Sequence, residues 1–169
     1  MDMIYLDHNA TTPMKPAVRA AMVEAMERHG NPSSVHRYGR IARRYVEEAR
    51  ASVAALVGVK ASQIIFTSGG TEANALVFAE RQNQSVFVSA IEHPSVLAHA
   101  PLAQMLPVSS QGVVDLVAAE AMLKNAPTGS LVSVMLVNNE TGVIQPVEEM
   151  VRIAKKYGHV THTDAVQAA

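Results

Sequence analysis

Apolar positions along this chain follow two periods that alternate. Pro16 opens a stretch in which Val18, Met22 and Met26 recur every fourth residue, with Ala21 and Ala25 beside them. That spacing is one face of a helix, and proline suits its first position. Gly30-Asn31-Pro32-Ser33-Ser34 breaks the pattern with turn chemistry. A second helix is predicted over 41–57, where Ile41, Tyr45, Ala49, Val53 and Leu56 share a side and Gly58 supplies the stop. Short apolar runs follow. Ile64-Ile65-Phe66-Thr67, Ser85-Val86-Phe87-Val88 and the stretch 131–137 read as strands, and 159–163 as a weaker one. Helical patterns lie between them at 72–81, 95–105, 116–124 and 147–157. Near-continuous apolar strands separated by helices predict an α/β fold, a mostly parallel sheet with helices on both faces.

Ligands of such sheets gather at the carboxyl ends of the strands. Each predicted strand here ends in polar residues: Ser68-Gly69-Gly70-Thr71-Glu72, Glu92-His93-Pro94, Asn138-Asn139-Glu140-Thr141-Gly142 and Asp164-Ala165-Val166-Gln167. Their convergence says more than any one of them. The Ser68–Thr71 turn between strand and helix offers free N–H groups and the positive end of a helix dipole to a phosphate. It serves equally as a tight turn with a helix cap. It has neither the Walker spacing nor the three glycines of a dinucleotide loop. His93, ahead of Pro94, caps a helix or stacks its flat ring on a planar ligand. Asp164 caps the following segment or pairs with a cationic heterocycle nitrogen, with Gln167 within reach of a neighbouring oxygen. His159, His162 and Asp164 do not all share one strand face, which disfavours a metal. The nine methionines read as core filler on helical faces.

Composition narrows the picture. The 169 residues are 49% hydrophobic and 17% charged, enough apolar material for a core in one domain. A net charge of −1 gives no basic face for nucleic acid. No apolar run reaches the roughly 18–20 residues of a membrane span. The first residues, Met1 to Asp7, lack a signal-peptide profile, so a cytoplasmic setting is expected. There is no cysteine, hence no disulfide and no thiol nucleophile on this chain.

Taken together, these motifs resemble the cysteine desulfurases, in the class V aminotransferase group of fold-type I pyridoxal-phosphate enzymes. The resemblance runs over essentially the whole chain. It is carried by Tyr5-Leu6-Asp7-His8-Asn9-Ala10-Thr11-Thr12-Pro13, by Gly30-Asn31-Pro32-Ser33-Ser34 with His36, by Phe66-Thr67-Ser68-Gly69-Gly70-Thr71-Glu72, and by the Glu92-His93, Asn138–Gly142 and Asp164–Gln167 segments in that order. It implies an N-terminal segment at 1–15 and a partial pyridoxal-phosphate-binding large domain at 16–169. Gly70 and Thr71 would hold the cofactor phosphate. His93 would stack on the pyridine ring and serve catalysis. Asp164 would pair with the pyridinium nitrogen, Gln167 with the phenolic oxygen, and Asn139 would lie near that oxygen and the substrate. The implied reaction takes L-cysteine to L-alanine and an enzyme-bound persulfide, which passes sulfur to an acceptor or scaffold protein for iron–sulfur cluster or thio-cofactor assembly. The intact protein would be a homodimer, with the 30–36 segment near the partner.

Two features depart from the family pattern. Its Schiff-base lysine follows the Asp-x-x-Gln motif in a Ser-His-Lys segment, and its persulfide cysteine and the arginine that holds the substrate carboxylate lie further on. Here the sequence ends at Ala169, and Lys15, Lys60, Lys124, Lys155 and Lys156 lie in none of the site segments. The expectation is a chain truncated before its catalytic lysine and thiol, and inactive alone. By the same resemblance the strand at 64–67 lacks its sheet neighbours and 159–163 forms an open edge. A selenocysteine lyase-like parent, a non-catalytic module for a phosphate ligand or a desulfurase partner, and an unrelated nucleotide-binding α/β domain are the alternatives.

Overall fold

A computed structural model describes residues 4–81 and 84–168. Met1 and Met3, and the chain end at Ala169, lie outside them. The chain divides into two compact units, Met1–Phe66 and Thr67–Ala169.

In the first unit, α1 spans Pro16–Met26 and α2 spans Arg37–Val57, followed by one 3-10 turn at Ala61–Gln63. Helix α2 starts four residues earlier than the apolar spacing predicts. The reason is local: His36 is extended, and its Nδ1 accepts the Gly39 N–H at 3.4 Å, so the cap lies in a polar stretch that periodicity does not see. Gly58 ends α2 as expected, with φ of 71° and its N–H on Ala54 O. Glu24 on α1 meets Tyr45 on α2, and the Arg28 guanidinium lies over the Tyr45 ring. Met14, Met22 and Met26 are exposed, so the core-filler reading fails for them. Helical spacing marks an apolar face without saying what covers it.

The second unit holds the sheet. Its elements run α3 (Gly70–Ala79), β1 (Val86–Ser89), α4 (Pro94–Leu97), β2 (Gln104–Leu106), α5 (Leu116–Lys124), β3 (Leu131–Ser133), α6 (Val147–Lys156) and β4 (Val160–His162). The strand order is β2-β1-β3-β4, and every pair is parallel. Register places Val88 beside Met105 and Ser133, and Ser133 beside His162. Successive strand residues face opposite ways. Phe87 and Val132 therefore pack under α5 and α6 with Leu123, Met150 and Ala154, whereas Val88 and Leu131 pack on the other face with Phe78 of α3 and Val96 of α4. Both faces are covered, which is why the strand sequences are apolar without alternation.

Two elements differ from expectation. Residues 64–67 form no strand: Ile64 is extended, but the segment finds no ladder partner among the described residues, and Ile65 is exposed. The helix expected over 95–105 is one turn only, and 104–106 is an edge strand instead. Pro101 disfavours helical backbone at the residue before it, and Gln104, Met105 and Leu106 find a partner in β1. Strand β3 is shorter than 131–137, yet its bonding to the β4 side continues through Val134 N–H to His162 O and Leu136 N–H to Asp164 O. No helix of the described residues is long and apolar enough to cross a membrane.

Candidate functional site

Parallel strands put their following loops at one edge of the sheet. The loops after β1, β3 and β4, together with the start of α3, hold Gly70, Thr71, His93, Asn139, Asp164 and Gln167.

Gly70 and Thr71 are the first residues of α3, with Gly69 extended before them. The N–H groups of a first helical turn have no acceptor within the helix. The loop is held from inside by Glu72, whose Oε2 accepts the Ser68 N–H at 2.5 Å, and by Thr67, whose hydroxyl donates to Gly69 O at 3.1 Å. The hydrogen bonds from Ser68, backbone first, hold the Glu72 carboxyl below its ordinary value. A β-carbon on Gly70 would stand 3.1 Å from Val166 Cγ2, so the start of α3 lies against the segment after β4.

His93 follows β1 and caps α4. Its Nδ1 accepts the Ser95 N–H at 3.1 Å and lies 2.7 Å from Ser95 Oγ. The cap reading holds, and capping is what fixes the ring. Asp164 follows β4. Its Oδ1 accepts the Val166 N–H at 3.1 Å and its Oδ2 accepts Asn74 Nδ2 at 2.9 Å. Asn74 Nδ2 also reaches Ser95 Oγ at 3.0 Å. Asp164, Asn74, Ser95 and His93 form one continuous hydrogen-bonded chain across three elements.

Asn139 stands in the turn after β3, with its Nδ2 on Glu140 Oε1 at 2.8 Å. Buried Asn138 builds that turn. Its Oδ1 accepts the N–H groups of Glu140 and Thr141, and its Nδ2 donates to Ile91 O at 3.0 Å, which ties the Asn139 turn to the segment carrying His93. Gln167 lies three residues past Asp164 in the same segment.

Beneath these loops sits Glu92, only 4% exposed. Its Oε1 accepts the Ser89 hydroxyl at 2.6 Å and the Met135 N–H at 2.7 Å, whereas its Oε2 is buried with no partner. Burial pushes its carboxyl pKa up against the pull of those two hydrogen bonds, and the nearby Asp164 charge adds to the rise. His162 of β4, with Nδ1 2.9 Å from Ser133 Oγ and its ring edge-on to Phe78, is pushed down by burial, with Asp164 opposing. Asn74, Ser95 and the bridging role of Glu92 escape sequence reading. One weak signal was available: Asn74 is four residues past Gly70, on the same face of α3.

The class-V aminotransferase model matches residues 4–169, and with it every loop described above. The chain belongs to that family. Within the class-V family it is 40% identical to the cysteine desulfurase IscS of Dictyoglomus turgidum, over 97% of this chain and 45% of that protein. A NifS-like protein from Rickettsia africae superposes with a TM-score of 0.93 at 41% identity, over 99% of this chain and 49% of that one. The structure of SspA in complex with cysteine superposes with a TM-score of 0.85 at 26% identity, over 97% of this chain and 51% of that one. The chain spans about half the length of the relatives it matches. The parallel sheet with helices on both faces is the arrangement shared with the NifS-like structures.

Proposed function

We propose that this chain supplies the phosphate and ring contacts of a pyridoxal-phosphate-dependent cysteine desulfurase. The observation that carries the reading is the Asp164–Asn74–Ser95–His93 chain, which ties an acid and a flat imidazole together beside an open helix start. The residues fit the group. At Gly70 a side chain would crowd Val166, so bare backbone lines the start of α3. The N–H groups there, with the Thr71 hydroxyl, suit a phosphate. Asp164 already receives two N–H donors, which compensate a carboxylate aimed at a cationic ring nitrogen. When bound, the cofactor supplies an electron sink for the carbanion formed at the substrate α-carbon.

The chain's own residues bind and orient. Gly70 and Thr71 anchor the phosphate. Asp164 keeps the ring nitrogen protonated. His93 covers one ring face, and because Nδ1 accepts the Ser95 N–H, its ring proton resides on Nε2. Gln167 and Asn139 donate to the phenolic oxygen, and Asn139 also lies near the substrate. L-cysteine is the substrate of this reading, with a sulfur-acceptor or scaffold protein downstream and a homodimer as the assembly. The lysines of the second unit lie at the far ends of α5 and α6, on the side where β3 and β4 begin. With no cysteine in the sequence, this reading takes the sulfur-carrying thiol from outside these residues.

Titration with pyridoxal phosphate, read by visible absorbance, tests the reading. Saturable uptake weakened by Asp164→Ala and by His93→Ala is expected. Absence of uptake, or uptake indifferent to both substitutions, would overturn it.

A further inference from the structure

Asn74 is 4% exposed on α3, one turn below Gly70. A carboxamide carries two N–H donors on one nitrogen. Here that nitrogen meets Ser95 Oγ at 3.0 Å and Asp164 Oδ2 at 2.9 Å. These partners fix which way the amide points, because an ionised carboxylate only accepts and would repel the amide oxygen. Ser95 Oγ, having accepted from Asn74, has its own proton left for His93 Nδ1 at 2.7 Å. Nδ1 already accepts the Ser95 N–H, so the polarity of the whole chain is set from Asp164 outward. Asp164 and Asn74 lie 90 residues apart, on the segment after β4 and on α3, and Ser95 belongs to a third element. Among the described hydrogen bonds, no other side chain bonds to both the Asp164 carboxylate and the Ser95 hydroxyl.

We propose that Asn74 is a positioning residue that couples Asp164 to the His93 imidazole, so that the acid and the ring proposed to face the cofactor are held as one unit. The coupling is a property of the unloaded chain, although its use in catalysis rests on the pyridoxal-phosphate reading. A purely structural asparagine would support α3 without transmitting a change at Asp164 to His93.

The test reads the His93 Nδ1 resonance by nitrogen-15 NMR on the full chain without cofactor. Asp164→Ala is expected to move that resonance in the native background and to leave it unmoved in an Asn74→Ala background. Ser95→Ala cuts the same link at the partly buried hydroxyl and leaves the Asn74–Asp164 hydrogen bond in place. It is expected to abolish the Asp164→Ala response too, which keeps the test decisive if Asn74→Ala fails to fold. A His93 resonance indifferent to Asp164→Ala, or one that responds equally with the link cut, would overturn the proposal. In a second arm, pyridoxal phosphate binding to Asn74→Ala should be roughly tenfold weaker, the loss of one charge-assisted hydrogen bond. Failure of the native chain to take up pyridoxal phosphate would refute the functional reading and leave the NMR response to decide the role of Asn74.

Discussion

Glu92 offers a prediction whose sign and size both come from its surroundings. The folded carboxyl holds its proton to a higher pH than the same group in the unfolded chain, because burial outweighs the hydrogen bonds from Ser89 and Met135. Below the ordinary carboxyl range both states are protonated, and the group costs nothing. As pH rises above about 4.5 the unfolded chain releases its proton first. Stability then falls with rising pH until the folded carboxyl ionises as well. For one proton the slope cannot exceed about 1.4 kcal/mol per pH unit. Glu92→Gln keeps an acceptor oxygen for Ser89 and Met135 and removes this titration, so it should lack this fall and gain on the native chain as pH rises. Glu92→Ala does something different. It leaves the Ser89 hydroxyl and the Met135 N–H, both on buried residues, without their acceptor. At about 1–3 kcal/mol for each orphan, the loss relative to Glu92→Gln is roughly 2–6 kcal/mol at every pH. Urea unfolding followed by circular dichroism at steps from about pH 4 to about pH 8 measures all three. Parallel pH profiles for the native chain and Glu92→Gln would refute the reasoning, and so would a native chain that gains stability relative to Glu92→Gln as pH rises.

Two further outcomes follow from the same kind of argument. His162 is pushed down by burial, so the unfolded chain takes up a proton before the folded one does. Its contribution is complete above the ordinary value of 6.5 and is lost as pH falls through and below it. His162→Asn should flatten that acid-side loss in the same urea series, and an unchanged slope would count against it. Gly58 ends α2 in the left-handed region with open space around it, so Gly58→Ala meets no neighbour and bears only backbone strain. A loss of about 1–2 kcal/mol is expected, with Gly58→Asn costing less. An alanine variant as stable as the native chain by thermal unfolding would contradict the left-handed cap.

What the sequence determines alone is whatever rests on near neighbours. The apolar period of α5 and α6, the glycine at the end of α2 and the polar residues after β1, β3 and β4 are local facts, and the structure has them where the pattern predicts. Of the candidate residues, His93, Asn139, Asp164 and Gln167 fall in the segments after β1, β3 and β4, and Gly70 and Thr71 begin α3. Tertiary structure decides what depends on a partner. A strand exists only through its ladder, so Gln104–Leu106 became β2 by pairing with Phe87–Ser89, whereas residues 64–67, with better strand composition, found no partner among the described residues. An apolar helix face shows the period of burial without the burial itself, and the methionines of α1 are exposed for that reason. The link from Asp164 through Asn74 to Ser95, the partner of His93, spans 90 and then 21 residues of sequence. No local pattern encodes it, because a carboxamide reads as helix surface until folding brings an acid and a hydroxyl to its one nitrogen.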